Sequence, residues 1–153
     1  MTRSDFTSDF GDAIARQKQA ALAFIEKINA HDVDGIVDSL SPDYEFVNSS
    51  GDRFHGSKFM RDEWTDQFRK HPDFRIRIGR VVADGQAVAI FGYSEGTYAP
   101  TGKLVPENRW SVPAAFLIMS RDGNITYFES FSDASMVYDM MQAVDGDGTV
   151  VSE

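Results

Sequence analysis

The sequence contains no cysteine, which excludes disulfide bonds and thiolate metal sites. The three histidines, His31, His55 and His71, lack the spacing of metal ligands, so no metal site is expected. No apolar run approaches the ~18 residues that a membrane-spanning helix needs, and the polar N-terminus lacks the apolar core of a signal peptide. These features predict a cytoplasmic protein.

Positive charge is also scarce. The chain has 15 Lys and Arg residues against 24 Asp and Glu residues, a net charge of −9. Nothing in it would neutralise a run of phosphates, which argues against a nucleic-acid partner. The densest basic segment alternates Arg75, Arg77 and Arg80 with apolar residues, a pattern typical of the exposed face of a strand.

Nucleotide-binding motifs are missing as well. The sequence has no phosphate-binding loop and no dinucleotide fingerprint, so we expect no cofactor. Hydrophobic residues nevertheless make up 42% of the chain, including 12 phenylalanines, which predicts a packed core. Its 153 residues fit one domain, with a core at about 9–143 and a flexible acidic tail at 144–153.

Helical periodicity occupies much of the first half of the chain. Residues 9–30 form an amphipathic pattern, and Asp32 is suited to cap a short helix that ends before Pro42. A third helix is predicted from Gly56 to Lys70, with an aromatic stripe of Phe59, Trp64 and Phe68.

Strand patterns dominate the second half. After a first strand at residues 44–48, four long strands follow Pro72, and the steps Asp84-Gly85 and Asp122-Gly123 predict hairpins between them. Helices segregated beside antiparallel strands indicate an α+β fold. We expect a cone-shaped, strongly curved antiparallel sheet, an open barrel, wrapped round the long N-terminal helix and enclosing an apolar pocket.

Three segments carry a family resemblance: NAHDVDGIVDSLSPDYEFVN, FHGSKFMRDEW and WSVPAAFLIMSRDGNITYFESFSD. Over residues 20–137 the chain resembles the SnoaL-like, ketosteroid-isomerase-like superfamily, which has the nuclear transport factor two-like fold. The resemblance implies a homodimer paired through the sheet and a small hydrophobic molecule held in the cone. Members include isomerases, polyketide cyclases, epoxide hydrolases, dehydratases and binding proteins without a reaction, so the fold does not name the chemistry.

Comparison with family patterns narrows the candidates. Ketosteroid isomerases place a carboxylate base where this chain has Asn48, whose amide cannot take a proton at neutral pH. Limonene-type epoxide hydrolases resemble the chain at Phe46 and Asn48, but their Arg-x-Asp pair aligns with Gly92 and Ser94 and is missing. Their last-strand aspartate, like the acid/base aspartate of SnoaL-type cyclases, matches Asp133.

Asp133 and Asn48 are therefore the predicted catalytic residues. Asp133 would move a proton if an apolar pocket raised its pKa, and Asn48 would hold a substrate oxygen or a water. Each has an alternative role, because Asp133 also suits a helix cap and Asn48 also suits a turn.

The expected reaction is cofactor-independent acid/base chemistry on a small hydrophobic oxygenated molecule, of the cyclase, isomerase or dehydratase type. The alternatives are a non-catalytic small-molecule-binding protein and an epoxide hydrolase with an altered active site.

Nine residues are predicted to line the pocket. Glu129 would face it beside Asp133 if the last strand has no bulge, and a bulge would reverse its facing. The favoured alternative is that Glu129 pairs with Arg109 or Arg121 on the neighbouring strand. The alternation of side chains along a strand does not by itself decide whether Tyr98 and Arg109 line the cone or face a partner subunit. The set is Tyr44, Phe46, Phe59, Trp64, Phe68, Tyr98, Arg109, Glu129 and Phe131.

Overall fold

The computed structural model describes the backbone of residues 3–151 and the side chains of residues 9–146. Within that range the helices are α1 (Arg3–Asn29), α2 (Val33–Asp38), α3 (Ser57–Lys70) and α4 (Ser135–Val151). The strands are β1 (Leu40–Val47), β2 (Arg53–Phe54), β3 (Arg75–Ala83), β4 (Val88–Thr97), β5 (Arg109–Arg121) and β6 (Asn124–Ser132).

The strands form one curved, unclosed sheet in the order β2-β1-β6-β5-β4-β3. Strands β3 to β6 make an antiparallel meander, which confirms the α+β prediction and its four long strands. Strand β1 instead lies parallel to β6, and the two-residue β2 pairs with β1 at the edge. The sequence prediction contained neither β2 nor a parallel pair.

Bulges interrupt three of the strand pairs and decide which side chains face inward. In the β5–β6 pair, Ser120 lies opposite Ile125 and Met119 opposite Tyr127, so Thr126 is an extra residue. Because side chains alternate along a strand, one extra residue reverses the facing of everything after it. Ile125 and Phe128 are accordingly both buried, three positions apart.

The inner face of the sheet packs against α1. Phe24 and Ile25 of α1 are fully buried there, and the ring of Phe24 meets that of Phe128 edge-on at 5.4 Å between centroids. The Phe116 ring on β5 stacks on the other side of Phe128 at 5.6 Å. These contacts bury the apolar stripe that the sequence predicted for the first helix, which begins earlier than expected, at Arg3.

Helix α3 closes the open side of the sheet. It follows β2 at one edge of the sheet and precedes β3 at the opposite edge, so its path crosses from edge to edge. Phe59 of α3 stacks on Phe54 of β2 at 4.4 Å, and Trp64 packs against Phe74, just before β3, at 6.2 Å. The predicted aromatic stripe therefore faces the interior between helix and sheet.

Local signals at the ends of elements are confirmed. The Asp32 carboxylate accepts a hydrogen bond from the Gly35 amide at 3.0 Å and so caps α2. Both predicted hairpin turns form, with positive φ at Gly85, Asp122 and Gly123. The predicted solvent face of β3 is also confirmed, because its three arginines are exposed.

Helix α4 continues to Val151 and so includes most of the tail that was expected to be flexible chain. The last two residues lie outside the described range. Of the described helices, none is long and apolar enough to cross a bilayer.

His71 fixes the end of α3 on the sheet. It is the C-terminal cap residue of the helix and is 3% exposed, and its Nδ1 accepts a hydrogen bond from Trp110 Nε1 at 3.1 Å. Burial lowers the pKa of this imidazole below its ordinary value, because the charged form loses its hydration. The folded protein therefore holds His71 neutral.

This neutral histidine predicts a pH-dependent stability. As the pH falls below about 6.5, the unfolded chain takes up a proton at His71 before the folded chain does, so stability is lost. The loss should have a slope of up to about 1.4 kcal/mol per pH unit. Urea unfolding of wild type and His71→Gln between pH 8 and pH 5 should show the stability difference shrinking as the pH falls. A difference independent of pH would contradict the buried neutral imidazole.

Candidate functional site

The interior of the cone is lined by aromatic side chains. Five of the nine predicted pocket residues belong to the core cluster between sheet and helices or pack against it, and they come from β1 and α3. These five are Tyr44, Phe46, Phe59, Trp64 and Phe68.

The polar atoms near this interior are mostly committed to local partners. The Tyr44 hydroxyl donates to the Gly56 carbonyl, and burial raises the Tyr44 pKa to about 12, so the phenol stays neutral. The His31 ring stacks on Phe68 at 4.0 Å, and its Nε2 lies 2.7 Å from the Phe74 carbonyl oxygen. The interior is therefore suited to an uncharged apolar molecule, since burying a charge without a partner is costly.

Serines occupy the inner face where the sheet continues beyond the aromatic cluster. Ser130 and Ser132 lie opposite Phe116 and Ala114 of β5, both of which are buried inward. Ser94 lies opposite the buried Ile76. None of these hydroxyls titrates near neutral pH, so they offer hydrogen bonds and no general base.

The charge pair missing at Gly92 and Ser94 has a physical reason. A Cβ at Gly92 would lie 1.9 Å from the Arg77 carbonyl oxygen on the neighbouring strand, where the β3–β4 register shifts. No side chain fits there without a backbone rearrangement. An arginine at this position is thus excluded by the bulge.

Asp133 lies outside the interior. It is exposed and follows β6, and its Oδ1 accepts from the Ser135 hydroxyl at 2.6 Å and the Ser135 amide at 3.1 Å. These two bonds, the hydroxyl first, hold the pKa of the Asp133 carboxyl below its ordinary value. The capping role, which was the alternative, is the one observed, and it removes the basis for proton transfer at neutral pH.

Asn48 occupies the turn after β1. Its Oδ1 accepts from the amides of Ser50 and Asp52, each at 3.0 Å, which is the turn role weighed as its alternative. The hydroxyl oxygen of the next residue, Ser49, lies 3.2 Å from the hydroxyl oxygens of both Ser130 and Ser132. The ends of β1 and β6 therefore meet, but Asn48 and Asp133 are each hydrogen-bonded to neighbouring residues of the chain.

Four predicted pocket residues lie elsewhere. Glu129 and Phe131 are on the outer face because of the bulge at Thr126, and Glu129 accepts from the Tyr127 hydroxyl. The predicted pairing of Glu129 with Arg109 or Arg121 is wrong, because those arginines pair with other carboxylates.

Arg109 stands on the outer face, with its guanidinium 3.7 Å from Asp73 and 4.0 Å from Glu95. Glu95 is also paired with Arg75 at 3.1 Å. Tyr98 follows β4 and donates to Asp145 of α4 at 2.7 Å, so it anchors the last helix and does not line the interior cluster.

One polar group of the interior was not predicted from the sequence. Trp64 was predicted only as an apolar wall, yet its indole Nε1 is buried and has no hydrogen-bond partner among the described residues. No sequence pattern predicts this unpaired donor, because a tryptophan on an aromatic stripe is typical of a packed core.

The sequence profile of the SnoaL-like domain family matches residues 21–128. Among curated proteins, none matches the sequence significantly.

Solved structures with the same fold include candidate polyketide cyclases. One from Xanthomonas campestris is 20% identical, with TM-score 0.71, and the match covers 81% of this chain and 95% of that one. One from Jannaschia is 16% identical, with TM-score 0.71, and the match covers 84% and 93% of the two chains.

A third similar structure is the epoxide hydrolase/cyclase-like enzyme SalBIII, described with a role in pyran ring formation in the polyether salinomycin. It is 21% identical, with TM-score 0.67, and the match covers 79% of this chain and 93% of that one. At these identities the likeness shows the fold alone.

The capping of Asp133 predicts a carboxyl that titrates in acid. In a carbon-13 NMR titration its midpoint should fall below the ordinary value of 3.8, because two hydrogen bonds stabilise the ionised form. Ser135→Ala should move the midpoint back up, since the hydroxyl is the main contributor. A midpoint above 3.8 in the wild type would overturn the capping role and restore Asp133 as a candidate acid.

Proposed function

Since the chain belongs to the SnoaL-like domain family, we propose that it binds a small, uncharged, apolar molecule inside the cone. The observation that carries this proposal is the interior itself. Aromatic rings from β1 and α3 face one another there, while the two groups expected to supply catalysis are engaged in a cap and a turn.

The partly buried aromatics support an entry beneath α3. Three phenylalanines are partly exposed and pack against the border of the core cluster: Phe46, Phe59 and Phe68. A ligand between them would gain ring contacts on several sides and would complete their burial.

Acid/base catalysis of the polyketide-cyclase type is the second candidate. It is supported by the descriptions of the similar structures, which name cyclases and an epoxide hydrolase/cyclase-like enzyme. Inside this cone the polar groups on β4 and β6 are serines, so such chemistry would rest on hydrogen bonding and substrate orientation. Product formation during incubation with a bound ligand, followed by mass spectrometry, distinguishes an enzyme from a binding protein.

Binding can be tested with two naphthalenes of similar shape. We expect 2-acetonaphthone to bind by isothermal titration calorimetry and 2-naphthoate to bind at least a hundredfold more weakly, because its carboxylate would be buried without a cation. Phe68→Ala should weaken 2-acetonaphthone binding about tenfold through loss of ring contacts.

The matched control is Phe10→Ala, which removes a 51% exposed phenylalanine of α1 beside the Gly85 turn, outside the interior cluster, and should leave the affinity unchanged. Equal affinity for the ketone and the carboxylate, or equal effects of the two phenylalanine variants, would contradict an uncharged site inside the cone. No binding of either naphthalene would count against the proposed function itself.

We also propose that two copies pair through the outer face of the sheet. Phe91 and Phe131 are 47% and 49% exposed there, and together with Pro113 and Ala115 they line a shallow apolar depression. A continuous exposed apolar patch of this kind is typical of an interaction surface.

Charge on either side of the patch favours a second copy as the occupant. Arg80 lies on β3 on one side and Glu129 on β6 on the other, both on the outer face. A two-fold axis along the strands would set β3 of one copy over β6 of the other, which brings opposite charges together twice.

Size-exclusion chromatography with light scattering tests this pairing. The wild type should have twice the 17.1 kDa mass of one chain, and Phe131→Asp should reduce it to one chain by placing a charge in the patch. Leu104→Asp is a matched control, because Leu104 is 51% exposed but lies in the loop between β4 and β5. A wild type with the mass of one chain would overturn the proposal.

A further inference from the structure

The indole N–H of Trp64 is a donor without an acceptor. Trp64 lies on the inward side of α3 and is 9% exposed, and its Nε1 is buried with no hydrogen-bond partner in the part of the chain that the structure describes. Native structures pair nearly all such buried donors, because the group has given up its hydrogen bonds to water. A free one in the interior therefore needs an explanation.

The aromatic rings that pack against the indole supply no acceptor. Its ring neighbours are Phe68, at 5.4 Å between centroids, and Phe74, at 6.2 Å, and both are hydrocarbon. Two backbone carbonyls of the interior already have side-chain partners, since the Phe74 carbonyl contacts His31 and the Gly56 carbonyl accepts from Tyr44.

The other tryptophan shows the contrast. Trp110 packs against the same cluster, but its Nε1 donates to His71 at 3.1 Å. Two indoles thus face related surroundings, one with its hydrogen bond made and one without. The unsatisfied donor is the one on α3, the helix that crosses the open side of the sheet.

We propose that Trp64 Nε1 donates a hydrogen bond to an oxygen of the molecule bound in the cone. This inference rests on the proposed function and narrows the ligand class to uncharged molecules whose apolar body carries an acceptor oxygen, such as a ketone, ester or ether. Binding such an oxygen replaces the water that the indole lost on folding. A hydrocarbon of the same shape would leave the donor unpaired.

An isosteric pair of ligands separates the hydrogen bond from apolar burial. 2-Acetonaphthone and 2-isopropenylnaphthalene have the same shape, but a methylene replaces the carbonyl oxygen in the second. By calorimetry the wild type should bind the ketone about tenfold more tightly than the hydrocarbon. Trp64→Phe should abolish this preference and leave hydrocarbon binding nearly unchanged.

Trp110→Phe is the matched control. It removes the indole donor that is already paired, so the tenfold preference for the ketone should remain. Nitrogen-15 NMR adds a readout that does not need a variant. The Trp64 indole proton should shift downfield with the ketone and not with the hydrocarbon, while the Trp110 proton serves as the reference.

The outcomes distinguish this inference from the proposal beneath it. If wild type binds both ligands equally well, the cone holds apolar molecules but Trp64 does not select an oxygen, and the inference is overturned. The same conclusion follows if the preference survives in Trp64→Phe. If the wild type binds neither ligand, the proposed function fails and the inference fails with it.

Discussion

The ring of Phe128 is the contact on which the inside of this molecule depends. It meets Phe24 of α1 at 5.4 Å, Phe116 of β5 at 5.6 Å and Phe46 of β1 at 5.9 Å, so one side chain joins the long helix to three strands. Burying four aromatic rings together contributes several kcal/mol through area and ring geometry. The sheet must curve to bring β1 and β5 to the same ring, and that curvature creates an open side.

Closing that side is the task of α3, and its connections explain the composition of the interior. The helix is tied to one edge of the sheet through Phe59 and Phe54 and to the other through Trp64 and Phe74. Aromatic side chains reach across a gap that aliphatic ones would leave empty. The same rings make an apolar interior in which a carboxylate would be strongly disfavoured, which agrees with the placement of Asp133 outside it.

The parts of the fold set by local rules were predictable. Periodicity placed α1 and α3, Asp32 marked the start of α2, and two Asp-Gly steps gave both hairpins. Strand β2 has two residues, too few for any pattern, and the parallel pairing of β1 with β6 joins segments about 80 residues apart in the chain. Such pairings are fixed by the packed core and leave no local signature.

The candidate site shows the same division between features set by local rules and features set by the packed core. The residues predicted on β1 and α3 do lie in or against the interior cluster, because an aromatic stripe on a helix keeps one face throughout. Glu129 and Phe131 were misplaced, because the bulge at Thr126 is a tertiary feature that no spacing reveals. Asp133 and Asn48 follow local capping and turn preferences that the sequence did contain. For these two residues, the capping and turn preferences predicted the observed hydrogen bonds, and the comparison with the family did not.

The bulge at Thr126 also determines which side chains of the last strand face inward. With it, Phe128, Ser130 and Ser132 face the helix, and their neighbours face away. Loss of that single residue would exchange the two sets at once, turning Glu129 and Phe131 inward. In a lineage of such proteins, one inserted or deleted codon therefore replaces the inward-facing side chains of β6 together, whereas point substitutions change them one at a time. The chemistry of the cone is in this sense encoded as much in the count of residues along β6 as in their identities.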